Sequence, residues 1–167
     1  MRQKLDRHAI FPGSFDPFTI GHLDVLESSL KLFDKVTVAV GYNHLKKGFM
    51  TPEHRTEYIM DCIAPLIRRG YDIDVVSYTG LTVNFCKSKG IKFIIRGVRT
   101  GLDYETESAI ANANGRIAPD IQTIFIPAAP ELSFVSSTVA RDIIINGGDA
   151  SLFLPSGTDI SKYIPDK

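Results

Sequence analysis

Apolar residues along this chain follow two alternating rhythms. Short apolar runs, Ala9-Ile10-Phe11, Val36-Thr37-Val38-Ala39-Val40, Ile73-Asp74-Val75-Val76, Phe93-Ile94-Ile95 and Thr123-Ile124-Phe125-Ile126, predict strands. All but the third are near-continuous and rich in Val and Ile, the pattern of strands buried on both faces of a parallel sheet. Between them the spacing is helical. Leu23, Leu26, Leu30 and Phe33 would form one apolar helix face. Thr51-Pro52-Glu53 opens another helix, with a cap, a proline at the first position and an acid in the first turn. Leu81 to Lys89 reads as a short helix stopped by Gly90, and Leu102 to about Ile117 as a longer one ended before Pro119. Ser136 or Ser137 caps a helix running to Asn146, and a short last helix follows Leu154. This alternation predicts an α/β fold: one domain, residues 1–167, around a doubly wound parallel five-stranded sheet. Ligands of such sheets sit at the carboxyl ends of the strands, where the strand order reverses.

Composition narrows the picture only a little. The 167 residues fit a single hydrophobic core, and 44% apolar with 23% charged residues is ordinary for a globular domain. The formal net charge is zero, which argues against nucleic acid as a partner but leaves room for a local cationic cluster on a triphosphate. No apolar run reaches membrane-spanning length, so no membrane partner is expected. The start, Met1 to Arg7, is polar and carries no secretory signal pattern. Cys62 and Cys86 lie in helical patterns outside any C-x-x-C pair, and read as reduced thiols of a cytoplasmic protein with no metal role.

Chemistry concentrates in three segments. Gly13-Ser14-Phe15-Asp16-Pro17-Phe18-Thr19-Ile20-Gly21-His22 leaves the first strand and enters the first helix. Gly13 lets backbone approach a ligand, Thr19 caps the helix, and His22 in the first turn would aim a ring N–H at an anion on the helix end. Leu132-Ser133-Phe134-Val135-Ser136-Ser137-Thr138 brings three hydroxyls to the opening of another helix; alone it is an over-supplied N-cap. Arg96-Gly97-Val98-Arg99, leaving the fourth strand, offers two guanidinium groups suited to phosphate; alone it reads equally as ion pairs to Asp103, Glu105 or Glu107.

Taken together these segments resemble the nucleotidyltransferase superfamily, with its T/H-x-G-H and I-S-S-T-x-x-R signatures, here with Val135 in place of Ile. Arg-Gly-Val-Arg followed by Asp103-Tyr104-Glu105-Thr106-Glu107, the Lys46-Lys47 pair, Leu81 to Phe85 and the Gly148 to Pro155 run narrow the resemblance to the phosphopantetheine adenylyltransferase family. The resemblance covers almost the whole chain and implies a Rossmann-like fold. It also implies transfer of AMP from ATP to 4′-phosphopantetheine, by direct in-line attack without a covalent intermediate. By resemblance His22, Lys46 and Arg96 are catalytic. Ser14, Lys46, Thr82, Arg96 and Asn114 hold the acceptor. ATP lies against Ser14, Phe15, His22, Gly97, Val98, Arg99, Glu107 and the stretch Leu132, Ser133, Phe134, Val135, Ser136, Ser137 and Thr138. The resemblance further implies Mg2+ carried mainly on ATP phosphates, with no protein metal ligands, and a homohexamer. Leu132 replaces an aromatic residue common in relatives, and Leu45 and Gly48 flank the lysine pair where relatives tend to have Ser and Pro. Sister nucleotidyltransferases acting on nicotinate nucleotide or forming cytidylyl products, and a nucleotide-binding module without catalysis, are the alternatives.

Overall fold

The structure, a computed structural model, describes residues 7–165. The stretch 1–6, most of the polar start noted above, lies outside the described residues. Five parallel strands, β1 (His8–Gly13), β2 (Lys35–Gly41), β3 (Asp72–Tyr78), β4 (Phe93–Val98) and β5 (Gln122–Pro127), form one sheet in the order β3-β2-β1-β4-β5. Five α-helices connect or follow them: α1 (Ile20–Ser29), α2 (Pro52–Arg68), α3 (Thr82–Lys89), α4 (Gly101–Ile117) and α5 (Ser137–Ile145).

Alternation along each strand divides the core in two. Ala9, Phe11, Val36, Val38 and Ile95 meet Val25 and Leu26 of α1 and Tyr58, Ile59 and Ile63 of α2. The intervening Ile10, Ala39 and Ile94 meet Val83 and Cys86 of α3, with Ile91, Ala118 and Ile121. Helices therefore cover both faces, as a doubly wound sheet requires.

The chain reverses its strand order between β1 and β4. There the pairing is short: only Ala9 with Phe93 and Ile10 with Ile94 are in register, whereas β1 and β2 pair from His8–Lys35 to Gly13–Val40. The carboxyl halves of β1 and β4 are thus unpaired with each other, and a crevice opens between them.

Several element boundaries differ from the sequence reading. The first helix stops at Ser29, although Leu30 stays buried and Phe33 packs against the core. The reason is the return to the sheet: Asp34 and Lys35 N–H both donate to the Arg7 carbonyl, at 2.9 and 3.4 Å, so the chain must turn before β2. The fourth strand runs on through Arg96, Gly97 and Val98, paired with Phe125, Ile126 and Pro127; Arg96 sits inside the strand and does not leave it. The tail after Leu154 forms a single 3-10 turn, Ile160–Lys162, and another precedes it at Ser151–Phe153.

Candidate active site

Two helix N-termini converge on the β1–β4 crevice. Thr19 caps α1 from extended backbone. Its hydroxyl accepts the His22 N–H at 3.4 Å, and its own N–H donates to His22 Nδ1 at 3.0 Å. This is a reciprocal capping box with histidine where Glu or Gln is usual. An amide N–H only donates, so Nδ1 carries no proton and the neutral ring holds its proton on Nε2. Burial, reinforced by the positive charges of Arg96 and Arg99, pushes the imidazole pKa from 6.5 down to about 3, so the ring is neutral near pH 7. Phe11, Phe15 and Phe18 surround it, with ring centroids 5.0 to 6.4 Å away. Nε2 bonds to no group among the described residues. Because no buried side-chain polar atom among the described residues lacks a partner, that edge must be open.

It opens on a cavity of about 320 Å³, lined by residues of both helix ends and both strands. Ser14, Phe15, His22, Arg96, Gly97, Arg99, Glu107, Val135, Ser136, Ser137 and Thr138 all reach it. Val98, Leu132, Ser133 and Phe134 do not line it. Lys46 lies in a neighbouring, wider hollow of about 890 Å³ that shares Ser14 with the first. Thr82 opens α3, its hydroxyl 2.8 Å from Tyr78 Oη. Asn114 stands on the Glu107 stripe of α4 but about 10 Å further along the helix, and lines neither hollow.

The second helix end uses its hydroxyls internally. Ser136 Oγ accepts the Val139 N–H at 3.1 Å, Ser137 Oγ donates to the Pro17 carbonyl at 2.8 Å, and Thr138 Oγ1 accepts from Arg141 Nη2 at 3.3 Å. With the Val139 N–H taken by that cap, the Ser137 and Thr138 N–H groups, which no intrahelical carbonyl satisfies, remain for an anion.

Both arginines are ion-paired to the nearby acids, and both also line the cavity. Arg96 grips Glu107 with two parallel bonds of 2.6 and 2.7 Å and donates Nη1 to the Pro12 carbonyl at 2.8 Å. Arg99 pairs with Asp103 at 3.0 Å and donates to the Val135 carbonyl at 2.7 Å. That last bond ties the end of β4 to the start of α5. Asp103 feels opposing influences: burial raises its pKa, but the bonds from Arg99 outweigh it and hold the carboxyl below its usual range.

Two glycines serve packing and not only a ligand. A Cβ on Gly13 would stand 2.9 Å from Phe15 Cζ, and Phe15 itself is in the left-handed region at φ 46°. A Cβ on Gly97 would stand 2.8 Å from Val25 Cγ2, so its bareness seats α1 on β4.

Sequence reasoning gave no role to four charged residues that assemble the site. Asp24 accepts the Ala129 N–H at 3.0 Å, Arg141 Nη1 donates to the Asp16 carbonyl at 2.6 Å, and Arg55 bridges to the buried Asp16 carboxylate at 3.2 Å. Periodicity carries no sign of these, because each bonds across more than thirty residues of chain.

A pair of helix ends over the switch point of a β3-β2-β1-β4-β5 sheet makes an anion-binding crevice, and residues 10–143 match the cytidylyltransferase-like family model, which places the chain among the nucleotidyltransferases. Among curated relatives, the phosphopantetheine adenylyltransferase of Flavobacterium psychrophilum is 43% identical over 92% of this chain and 99% of its own. That of Cytophaga hutchinsonii is 41% identical over 90% and 98%. Among solved structures, a chain assigned as a nicotinate-nucleotide adenylyltransferase from Vibrio parahaemolyticus superposes with a TM-score of 0.64 at 18% identity, covering 95% of this chain and 97% of that one. A bifunctional NMN adenylyltransferase/ADP ribose pyrophosphatase from Francisella tularensis gives 0.63 at 18% identity, over 92% of this chain and 46% of that one; at such identity these two speak for the fold alone. The chain belongs to the phosphopantetheine adenylyltransferase family, within the cytidylyltransferase-like nucleotidyltransferases.

Proposed function

We propose that this enzyme transfers AMP from ATP to 4′-phosphopantetheine, releasing dephospho-coenzyme A and pyrophosphate, by in-line attack of the acceptor phosphate on the α-phosphorus. The observation that carries the reading is the neutral His22 ring, locked by Thr19 so that Nε2–H faces the cavity it shares with the first turn of α5.

The nucleophile is a phosphate oxygen, already anionic at neutral pH, so the reaction needs no general base and no enzyme nucleophile. The oxygen bonds to phosphorus as the bond to the bridging oxygen of pyrophosphate breaks, and the electron pair leaves with pyrophosphate. Catalysis is then alignment plus charge stabilisation. His22 donates to the α-phosphate. Lys46, Arg96 and the Ser14 hydroxyl hold the acceptor at the boundary between the two hollows. The α5 N-terminus and Arg99 carry the leaving pyrophosphate. Arg96 reaches the acceptor with its remaining N–H groups or by releasing Glu107.

Magnesium, on this reading, enters on the ATP phosphates. No cluster of three potential metal ligands occurs among the described residues, and both cavity carboxylates, Asp103 and Glu107, are engaged by arginine. The chemistry the ion would supply is neutralisation of phosphate charge.

The reading includes a homohexamer acting in the cytoplasm. In support, α4 buries no residue and exposes Leu102, Tyr104, Ile110 and Ile117 beside the edge strand β5. Cys62 and Cys86 are free, buried thiols, their pKa values pushed up by burial to about 12 and 11. No helix among the described residues is long and apolar enough to cross a membrane.

The deciding experiment offers purified protein ATP with 4′-phosphopantetheine or nicotinate mononucleotide, and separately CTP with phosphorylated alcohol acceptors, and reads pyrophosphate release and product mass. Dephospho-coenzyme A should be the product. Pyrophosphate released only with another acceptor would move the chain to a sister activity, and ATP binding with no product from any acceptor would favour a non-catalytic module.

A further inference from the structure

Lys46 sits in the run Asn43 to Gly48, every residue of which is exposed. Within it the Leu45 and Lys46 N–H groups donate to Asn43, at 2.9 and 3.0 Å, a local turn that shapes the run but does not tie it to Ser14. What holds it is a buried pair beneath it. The Asp16 carboxylate accepts the Phe49 N–H at 2.8 Å through Oδ2 and the Met50 N–H at 2.9 Å through Oδ1. Arg55 Nη2 meets Oδ2 at 3.2 Å, and both side chains are nine-tenths or more enclosed. Arg55 Nε donates to the Met50 carbonyl at 3.0 Å and Nη1 to the Ser14 carbonyl at 3.3 Å. One guanidinium therefore joins the backbone of the residue that offers the acceptor hydroxyl to the backbone that ends the lysine run. Gly48 confirms how tight the stack is, since a Cβ there would lie 1.8 Å from Arg55 Nη2. Any side chain at 48 would displace either the guanidinium or the loop.

We propose that Asp16 and Arg55 are positioning residues for the acceptor phosphate: they set the separation of Ser14 and Lys46, and so the line of attack. The proposal rests on the phosphopantetheine reading for the identity of the acceptor. Both border the hollow that holds Lys46 but are almost wholly enclosed and spent on each other and on backbone, so they are assigned to act through Lys46 and Ser14. Arginine is required because its planar fork satisfies two carbonyls and a carboxylate at once, which a lysine ammonium on a flexible stem does not do.

Acceptor and ATP titrations on wild type, Arg55→Lys, Lys46→Ala and the double variant test it. Arg55→Lys keeps the charge beside Asp16 and is preferred to Ala, which strands a buried carboxylate. Its KM for 4′-phosphopantetheine should rise about tenfold or more while its KM for ATP moves less than about twofold. In the Lys46→Ala background the same change should add less than about twofold, since coupled residues are not additive. Equal losses for both substrates, or full additivity with Lys46→Ala, would reduce the pair to a purely structural role and overturn the proposal. Hydrogen exchange reads the anchor without turnover: Asp16→Asn should speed exchange at Phe49 and Met50 by about tenfold or more and leave β2 unchanged. Unaltered exchange at 49 and 50 would overturn the anchor whatever the acceptor. A wild type that makes no dephospho-coenzyme A, yet shows the expected exchange, would sink the functional reading and not the anchor.

Discussion

His22 shows how one side chain can be both structural and chemical. Its Nδ1 completes the capping box of α1, and that same bond fixes the tautomer that leaves Nε2–H facing the cavity, where the proposed mechanism needs a donor. His22→Ala should lower kcat by about 10²–10³, the loss from removing one preorganised donor. Because the Thr19 N–H would lose its acceptor, the variant should also be less stable, by about 1–3 kcal/mol. Stopped assays and thermal melts on the same preparation check both; near-normal turnover would remove His22 from the mechanism. The ring's pH behaviour follows from its surroundings. With the folded value at about 3 and the ordinary value at 6.5, the unfolded chain holds a proton between them that the folded chain rejects. The favourable contribution is present above pH 6.5 and is lost as pH falls towards 3, with a slope of at most about 1.4 kcal/mol per unit. Ring NMR should show no His22 titration from about pH 8 to 5, a window in which an ordinary histidine would titrate.

Among elements, the contact of α1 with β4 decides whether the two halves of the site face each other. Gly97 in β4 and Val25 in α1 meet where a methyl group would stand 2.8 Å from Val25 Cγ2. Gly97→Ala should cost about 1–3 kcal/mol through overpacking, seen as a melting midpoint lower by about 2–4 °C per kcal/mol. Adding Val25→Ala should recover part of the loss, because the two changes share one contact. Full additivity would show that Gly97 is needed for something other than this seat. The helix boundaries follow the same logic. Gly90 at φ 68° and Thr51-Pro52 mark their helix ends locally and were legible as such. The early stop of α1 and the extension of β4 were not, since both depend on pairing with Arg7 and with β5.

At the scale of the whole molecule, one long helix packs on the sheet without fully burying any residue. α4 has no buried residue, and its apolar side chains stand exposed beside an edge strand, a combination that association of subunits would cover. Light scattering should give a hexamer, and Ile110→Asp should shift it to smaller species; a wild-type monomer would refute the assembly. The fold class, the strand–helix order and the segments around His22, Arg96 and Ser136 could be read from the sequence alone, because apolar rhythm and capping chemistry are local and act within a few residues. The sequence determined, too, that Arg96 and Arg99 had nearby acids. Only the tertiary structure decided that each arginine is paired, which hydroxyls of α5 are already spent, and that Asp16, 39 residues before Arg55, is its buried partner. Those are contacts between groups distant along the chain, and their energies depend on burial and direction, which spacing does not encode.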